Sequence, residues 1–260
     1  MELLVVIALL AMLALLLLPA QAQVKTRSQG IGCLNNLKQL ALASHLYAGD
    51  NQDAIPPNSV STSENWVLVQ SGVKTIPDYT NVMLVRNGLL YPYAKSVALY
   101  QCPGDYDLLP NQTQPRVRNY SMNGMMGNNL FNTFVHPSTK EHITFSTVTN
   151  PGPASASFFV DEQSSALPAK TSIDDGYFAV NDGTSGDYMS SVWRNVPSSR
   201  HGNFGQFSYA DGHAAIMKWL EPDTHLLQGI NASSAEPNNL DRHQVWLSTY
   251  GSGTVPGVPW

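Results

Sequence analysis

The sequence predicts an α+β fold in which one long N-terminal α-helix packs against an antiparallel β-sheet body. Residues 3–18 are an unbroken apolar run, and residues 25–50 carry apolar side chains on one helical face only. The remainder consists of short apolar runs separated by Gly, Pro, Asn and Ser, which is typical of strands joined by turns. These observations indicate a helix that is apolar in front and amphipathic behind, followed by a β-rich domain.

The composition favours an exported, loop-rich protein. Charged residues make up 13% of the 260 residues, about half of the ~25% that is typical of soluble domains. The formal net charge is −5 and the sequence contains no basic run. Nucleic acid is therefore not expected as a partner, because binding to phosphates needs clustered lysines and arginines.

The same patterns divide the chain into four parts. Residues 1–24 form the membrane-spanning or assembly half of the helix, and residues 25–50 form the amphipathic half that packs on the body. Residues 51–250 form the β-rich globular body, and the Pro/Gly-rich residues 251–260 form a tail. About 210 residues follow the helix, which is enough to bury a sizeable core.

The length of the apolar run leaves its role open. As a helix, residues 3–18 are ~24 Å long, which is shorter than the ~30 Å hydrocarbon core of a bilayer. The run also slightly exceeds the 7–15 residues of a signal-peptide apolar region. Ala20-Gln21-Ala22 matches the small-residue cleavage pattern of signal peptides, but no lysine or arginine precedes Lys25.

The amphipathic half carries a stripe at helical spacing. Its members recur at i, i+4, i+7, i+11 and i+14, and they are Cys33, Leu37, Leu40, Ser44 and Tyr47. Pro19 is expected to kink the helix and not to end it. Gly49-Asp50-Asn51 supplies the stop signal.

The chain has two cysteines, Cys33 and Cys102, and neither lies in a CxxC pattern or a metal-ligand spacing. One disulfide closing a long loop is compatible with export to an oxidising compartment. Two separate buried thiols are the alternative. Both remain open from the sequence.

In the body, residues 66–73, 143–148 and 157–162 predict strands. Residues 82–94 predict a short helix and a turn, closed by Pro92. Residues 122–132 predict a loop whose methionines pack inward.

Residues 205–220 predict a β-hairpin, because apolar residues alternate on both sides of Asp211-Gly212, a favoured pair for a two-residue turn. The turn explains Asp211 and Gly212 without any chemical role. A mixed nitrogen and oxygen metal site formed by His201, Asp211 and His213 is the alternative.

A glycine-rich loop at residues 174–187 offers hard oxygen ligands that suit calcium. The candidate ligands are Asp174, Asp175, Asn181, Asp182 and Asp187. The spacing is not that of an EF-hand, and a solvated polar loop is the alternative.

Catalytic motifs are missing from the sequence: there is no G-x-S-x-G elbow, phosphate-binding loop or HExxH. Asp161 and Glu162 are adjacent, so on a strand they point to opposite faces and cannot form a paired-carboxylate site. We therefore expect that the protein is not an enzyme.

Four segments in order carry a resemblance to a known family. They are "ELLVVIALLAMLALLLLPA" from Glu2, "CLNNLKQLALASHLYAGDNQDAIPPN" from Cys33, "CPGD" from Cys102, and His201 followed after nine residues by Asp211-Gly212. Together they resemble the type IV pilins and pseudopilins, in particular a large group of pilin-like proteins with a C-terminal H-X9-DG signature. Glu2 takes the place of the glutamate that precedes the apolar run in this family, and Pro19 that of the kinking proline.

The resemblance implies a structural subunit, anchored in the inner membrane by a single helix, with its body in the periplasm or in an extracellular filament. It also implies assembly with other pilin-like subunits into a type II secretion pseudopilus or type IV filament, as a minor component, with Glu2 paired to a neighbour's N-terminal amine. Prepilins carry a basic leader that prepilin peptidase removes, and this chain shows none. Either the leader and first mature residues are missing, or the start lies at an internal methionine.

An exported soluble protein that is cleaved after Ala22 and binds carbohydrate or metal is the second hypothesis.

Overall fold

A computed structural model describes most of the chain. Its described residues are 2–59, 63–69, 80–105, 115–127, 141–163, 176–180, 192–227, 232–233 and 239–251. Between residues 2 and 23 it describes the side chains of residues 3, 5–7, 9 and 12 only. The helices are α1 (Glu2–Asp50), α2 (Val82–Arg86), α3 (Tyr91–Ala94) and α4 (Leu240–Tyr250). The strands are β1 (Tyr120–Asn123), β2 (Ser157–Asp161), β3 (Tyr177–Phe178), β4 (Val192–Trp193), β5 (Phe204–Tyr209), β6 (Ala214–Lys218) and β7 (Ala232–Ser233).

Helix α1 is continuous from Glu2 to Asp50 and passes through Pro19 and the Gly30/Gly32 pair. We call residues 2–24 its front half and residues 25–50 its rear half. The predicted stripe of the rear half is confirmed, since Cys33, Leu37, Leu40 and Ser44 are completely buried and Tyr47 is half-buried. Among the described residues, no helix combines the length and the apolarity needed to cross a membrane.

The body is built around a five-stranded sheet in the order β3-β1-β2-β5-β6. Three neighbouring pairs are antiparallel: β1 with β2, β2 with β5, and β5 with β6. The fourth pair is parallel, since β3 runs in the same direction as β1. The sheet is therefore mixed, and the prediction of an antiparallel sheet is wrong for the edge strand β3. Because β2 is antiparallel to β1, it ends at the same end of the sheet at which β3 begins, and β3 pairs with the other edge of β1.

Both faces of the central strand β2 are covered. Helix α1 contacts β2, β5 and β6, and Phe159 of β2 lies with Leu37 and Leu40 in one apolar cluster. Val160 belongs to a second apolar cluster that includes Trp246 of α4. The predicted strand 157–162 is confirmed as β2. Because side chains on both of its faces are buried, its sequence is a run of apolar residues and does not alternate between apolar and polar ones.

Two other strand predictions fail. Residues 66–69 form an irregular bend, in which the Trp66 indole N–H donates to the Gly176 carbonyl at 3.1 Å, and residues 70–73 lie outside the described residues. In the segment 143–148, residues Phe145–Thr147 form a 3₁₀ helix. There the Thr147 hydroxyl donates to the Thr144 carbonyl at 2.7 Å, a local bond that competes with strand pairing.

The segment 82–94 contains two short helices, α2 and α3, instead of one helix and a turn. Pro92 lies in the first turn of α3 and does not close a helix, since its fixed φ suits a helix start. The methionines of the segment 122–132 that are described, Met122, Met125 and Met126, are buried as expected, and Met122 belongs to β1.

Strands β5 and β6 form the predicted hairpin, but its loop has three residues. The Tyr209 N–H donates to the His213 carbonyl at 2.9 Å, and the Gly212 N–H donates to the Tyr209 carbonyl at 2.9 Å. Gly212 has φ +92°, so it takes the left-handed position that follows a turn in three-residue hairpin loops. Gly212 is thus the third residue of the loop, whereas the predicted two-residue turn would make it the second.

Candidate metal centre

Four side chains from distant parts of the chain meet between the rear half of α1 and the sheet. They are Cys33 of α1, Cys102 of the CPGD segment, Asp161 at the end of β2 and His201 just before β5. All four are buried, and one sulfur, nitrogen or oxygen atom from each lies within 4.8 Å of the others. We call this group the Cys-Asp-His cluster.

Glycines let the segments of the cluster approach each other. A Cβ on Gly30 would lie 3.3 Å from the His201 Cβ, and a Cβ on Gly32 would lie 3.2 Å from the Pro103 Cγ. Both contacts are tighter than ordinary packing. Gly30 lies one helical turn before Cys33, and Gly32 lies directly before it. Because neither glycine has a side chain, His201 and the CPGD segment can pack against the helix surface.

The CPGD segment is a turn that presents Cys102. The Asp105 N–H donates to the Cys102 carbonyl at 3.0 Å, and proline at the second position suits such a turn. The Gly104 N–H lies 3.4 Å from the Cys102 Sγ. A Cβ on Gly104 would lie 2.4 Å from the His201 Cε1, so the imidazole packs directly on this glycine.

The two sulfurs have different partners. The Cys102 Sγ lies 3.0 Å from the His201 Nε2. The Cys33 thiol donates to the Asp161 Oδ2 at 3.6 Å and accepts from the Tyr120 hydroxyl at 3.2 Å. The cluster thus joins a thiol and carboxyl pair to a sulfur and imidazole pair.

The same partners separate the acidities of the two thiols. Burial raises the pKa of Cys33 well above its usual range, with further contributions from Cys102 and Asp161. The hydrogen bond with Cys33 lowers the pKa of Cys102 to about 4, against the effect of burial and with help from His201 and Arg200. At neutral pH we therefore expect a thiolate at Cys102 and a thiol at Cys33.

Asp161 is held by Arg200. Burial raises the pKa of this carboxyl, which the nearby guanidinium partly opposes. The Arg200 Nη1 donates to the Asp161 Oδ1 at 2.5 Å, and its Nε lies 3.8 Å from the Asp105 Oδ1. The Arg116 Nε is 3.9 Å from the other oxygen of Asp105. The positive charges of Arg200 and Arg116 thus oppose the negative charges of Asp161 and Asp105 at the cluster.

One atom of the cluster is left unsatisfied. The His201 Nδ1 is buried and has no hydrogen-bond partner among the residues that the structure describes. An unpaired buried nitrogen costs free energy, so its presence calls for an explanation. A Cys–His pair that works as a nucleophile needs a third group that orients the imidazole, and no described residue bonds to this nitrogen.

A cavity of about 620 Å³ reaches the cluster from outside. Its lining includes Asn36 of α1, Cys102, Pro103 and Asp105. The cavity therefore lies beside the cluster, and Cys102 itself is only 1% exposed. With two sulfurs, one imidazole and one carboxylate in reach of one point, the cluster could hold a metal ion.

The residues singled out in the sequence fall into separate places. Cys33 and Cys102 come together as free thiols, and the disulfide between them stays a prediction. His201 lies in the cluster, whereas Asp211 and Gly212 lie at the hairpin loop, beyond the ~20 Å that six residues of strand span. There the exposed Asp211 Oδ1 is 2.6 Å from the His213 Nδ1. The structure therefore does not bring His201 together with Asp211 and His213, as the predicted metal site of these three residues would require.

The other candidates cannot be placed in a site. Glu2 and Pro19 belong to α1, but their side chains are not among those described. The calcium candidates all lie outside the described residues. They are Asp174, Asp175, Asn181, Asp182 and Asp187.

Asp161 is the member of the cluster that the sequence did not suggest. The paired-carboxylate test set it aside because Glu162 follows it directly. In the structure Glu162 accepts hydrogen bonds from Ser121 and Asn195, away from the cysteines. The cluster combines Asp161 with a cysteine 128 residues away, and no local pattern signals that partnership.

No family model, curated protein or solved structure matches the chain.

Proposed function

We propose that the protein is a structural, pilin-like subunit that is anchored in the inner membrane and assembles with other subunits through the front half of α1. The filament would be a type II secretion pseudopilus or a related type IV filament, with this subunit as a minor component. The observation that carries the proposal is the exposure of the apolar side chains that the structure describes between Leu3 and Met12 of α1.

The described side chains of the front half are apolar and largely exposed. They are Leu3, Val5, Val6, Ile7, Leu9, Met12 and Val24, with exposures between 50% and 72%. Successive helical residues are rotated by about 100°, so residues 5–7 alone cover most of the circumference. Exposed apolar surface costs roughly 25 cal/mol per Å² in water, and an uncovered patch of this kind indicates a lipid or protein contact.

The rear half of α1 packs into the core, which supports a different role for the front half. Leu37 and Leu40 are completely buried in the core, so the body is complete around the rear half. The front half extends the helix by about 35 Å. A folded body with a bare apolar helix in front suits a subunit that folds first and then inserts or assembles.

Glu2 is the proposed assembly contact, as the resemblance to pilins implies. A carboxylate at a helix N-terminus complements the helix dipole, and pairing with a neighbour's terminal amine would satisfy it within an apolar bundle. Prepilin peptidase would be a further partner if a leader precedes this segment. The body would then lie in the periplasm or on the filament surface.

The test compares two leucines on the same helix. Leu9 in the front half and Leu42 in the rear half are each 56% exposed. Leu9→Lys is expected to reduce recovery in the membrane or filament fraction, because a lysine at the centre of a membrane helix costs about 2.5–3.5 kcal/mol. Leu42→Lys, the matched control, should fractionate as the wild type does. Equal fractionation of both variants with the wild type would count against the proposal.

A second variant separates assembly from anchoring. Glu2→Ala should leave the protein in the membrane and the body folded, but lower the yield of filaments or of subunit–subunit crosslinks. Wild-type filament yield from this variant would remove Glu2 from the assembly contact while leaving the anchor in place.

The alternative is a secreted soluble protein that is cleaved after Ala22. The Cys-Asp-His cluster favours a metal-binding version of this alternative, because all four of its residues lie after Ala22, in the rear half of α1 and in the body. Calcium at residues 174–187 and carbohydrate binding stay predictions. N-terminal sequencing of the native product separates the two functions: a start at Gln23 supports release, and a retained front half supports the pilin-like subunit.

A further inference from the structure

We propose that Cys33, Cys102, Asp161 and His201 form a structural zinc site that fastens the rear half of α1 to the body. The site is independent of the filament function. It requires that the four ligand atoms converge on one point, that their charge is balanced, and that the ion holds segments that are otherwise far apart in the chain.

The convergence fits a tetrahedral ion. Zinc bonds of about 2.0–2.3 Å place neighbouring tetrahedral ligands roughly 3.3–3.8 Å apart. The Cys33 Sγ lies 3.6 Å from the Asp161 Oδ2, and the Cys102 Sγ lies 3.0 Å from the His201 Nε2. All four ligand atoms are within 4.8 Å of one another, so movements of about an ångström complete the site.

The ligand types favour zinc over calcium. Two thiolates and an imidazole are soft or borderline donors, which suit zinc, whereas calcium takes six to eight oxygens. Two thiolates and one carboxylate carry three negative charges. A divalent ion and the Arg200 guanidinium, bonded to the Asp161 Oδ1, supply three positive charges, so the buried site is neutral.

Groups outside the four ligands already hold them in place. The Tyr120 hydroxyl donates to the Cys33 Sγ and the Gly104 N–H approaches the Cys102 Sγ. Arg200 occupies one oxygen of Asp161 and leaves Oδ2 facing Cys33. Such outer partners orient metal ligands and tune their basicity. Among the described residues, the buried Nδ1 of His201 has no such outer partner.

A hydrogen-bonded cysteine–histidine pair is the main competitor. It accounts for Cys102 and His201 but gives no reason for Cys33 and Asp161 to converge on the same point. A Cys33–Cys102 disulfide accounts for the sulfurs and leaves the histidine and the aspartate without a role. A metal ion gives all four side chains one function.

The ion would act structurally because the protein supplies all four ligands and none is exposed, which leaves no open coordination position. Binding takes both sulfurs as thiolates, so any protons that they carry are released to solvent.

The experiment uses the full-length chain, purified in detergent without chelators. We expect one zinc ion per chain by native mass spectrometry, protection of both thiols from alkylation, and loss of that protection after chelation. Replacement of zinc by Co²⁺ should give an absorption band of thiolate-to-cobalt charge transfer. His201→Gln should weaken zinc binding by more than about 100-fold, the upper end of what loss of an outer partner costs.

His213→Gln is the matched control, because His213 is an exposed histidine that also contacts an aspartate. It should keep stoichiometric zinc. If His201→Gln does not fold, Cys102→Ser in the Co²⁺ experiment replaces it and should lose the charge-transfer intensity of one thiolate. A wild-type chain that takes up no zinc, a chain whose mass is lower by two hydrogens through a disulfide, or equal zinc affinity of both histidine variants would overturn the proposal.

Discussion

Leu37 in the rear half of α1 is completely buried against the sheet, whereas Leu3 in the front half is 72% exposed. Both belong to one continuous helix and have the same side chain. The rear half therefore contributes to the stability of the body, and the front half contributes surface that only an external environment can cover. The contrast separates substitutions that unfold the protein from substitutions that leave it folded without its partners.

The largest expected effect tests burial in the rear half. Leu37→Ala should lower the free energy of unfolding by about 2–5 kcal/mol, because it removes buried methyl groups and leaves a cavity. Leu9→Ala, the matched change in the front half, should leave the stability of the body unchanged. Chemical denaturation followed by tryptophan fluorescence measures both. A loss of similar size in the two variants would mean that the front half also packs on the body.

A smaller effect is expected where the CPGD turn meets the cluster. Gly104→Ala places a Cβ 2.4 Å from the His201 Cε1, and overpacking of this kind typically costs about 1–3 kcal/mol. Gly49→Ala is the control, since a Cβ there meets no atom of the described residues within 4 Å.

The control should be neutral or stabilising by up to about 1 kcal/mol, because alanine favours the helical conformation. Thermal unfolding of the two variants, with the zinc content measured in parallel, gives the comparison. A stable Gly104→Ala variant with normal zinc content would show that the imidazole does not need this glycine.

The smallest expected effect lies just beyond the end of α1. The Asp53 carboxylate accepts a hydrogen bond from the Ser146 N–H at 2.9 Å, and the side-chain and backbone hydrogen bonds of Ser146 lower the pKa of Asp53. A lowered folded-state pKa means that this stabilisation is present above the unfolded pKa of about 3.9 and is lost as the pH falls through the folded value.

Asp53→Asn should therefore lower the unfolding midpoint slightly at pH 7, and the difference from the wild type should vanish in strongly acidic solution. Urea denaturation at the two pH values checks this. A difference that persists unchanged in acid would assign the effect to the backbone, where Asp53 has φ +66°.

Local patterns predicted the parts of the fold that local forces determine. The stripe from Cys33 to Tyr47 follows from helical spacing, and the hairpin around Asp211-Gly212 follows from turn chemistry. The bend at Trp66 and the 3₁₀ helix at Phe145 carry strand-like residues, but their backbone groups bond to neighbours and loops instead of a sheet. The parallel edge strand β3 depends on a long connection whose path the sequence does not show.

The candidate site was predicted only in fragments. Cys33 and Cys102 were considered together as a disulfide, and His201 was noted through its spacing to Asp211. Their actual partnership depends on the packing of α1 across β2, and Cys102 and His201 are 99 residues apart in the chain. Asp161 had no local signal at all, because an aspartate next to a glutamate on a strand is common and the relevant neighbour is a helix cysteine.

The division of α1 into a packed half and an assembling half can be tested directly by crosslinking in cells. A photo-crosslinking amino acid is placed at the position of Leu9 in one variant and at the position of Leu42 in another, and the products are separated by size. The account predicts covalent dimers of the subunit from position 9 and none from position 42. Dimers from position 42 alone, or none from either position in cells that accumulate the protein, would contradict it.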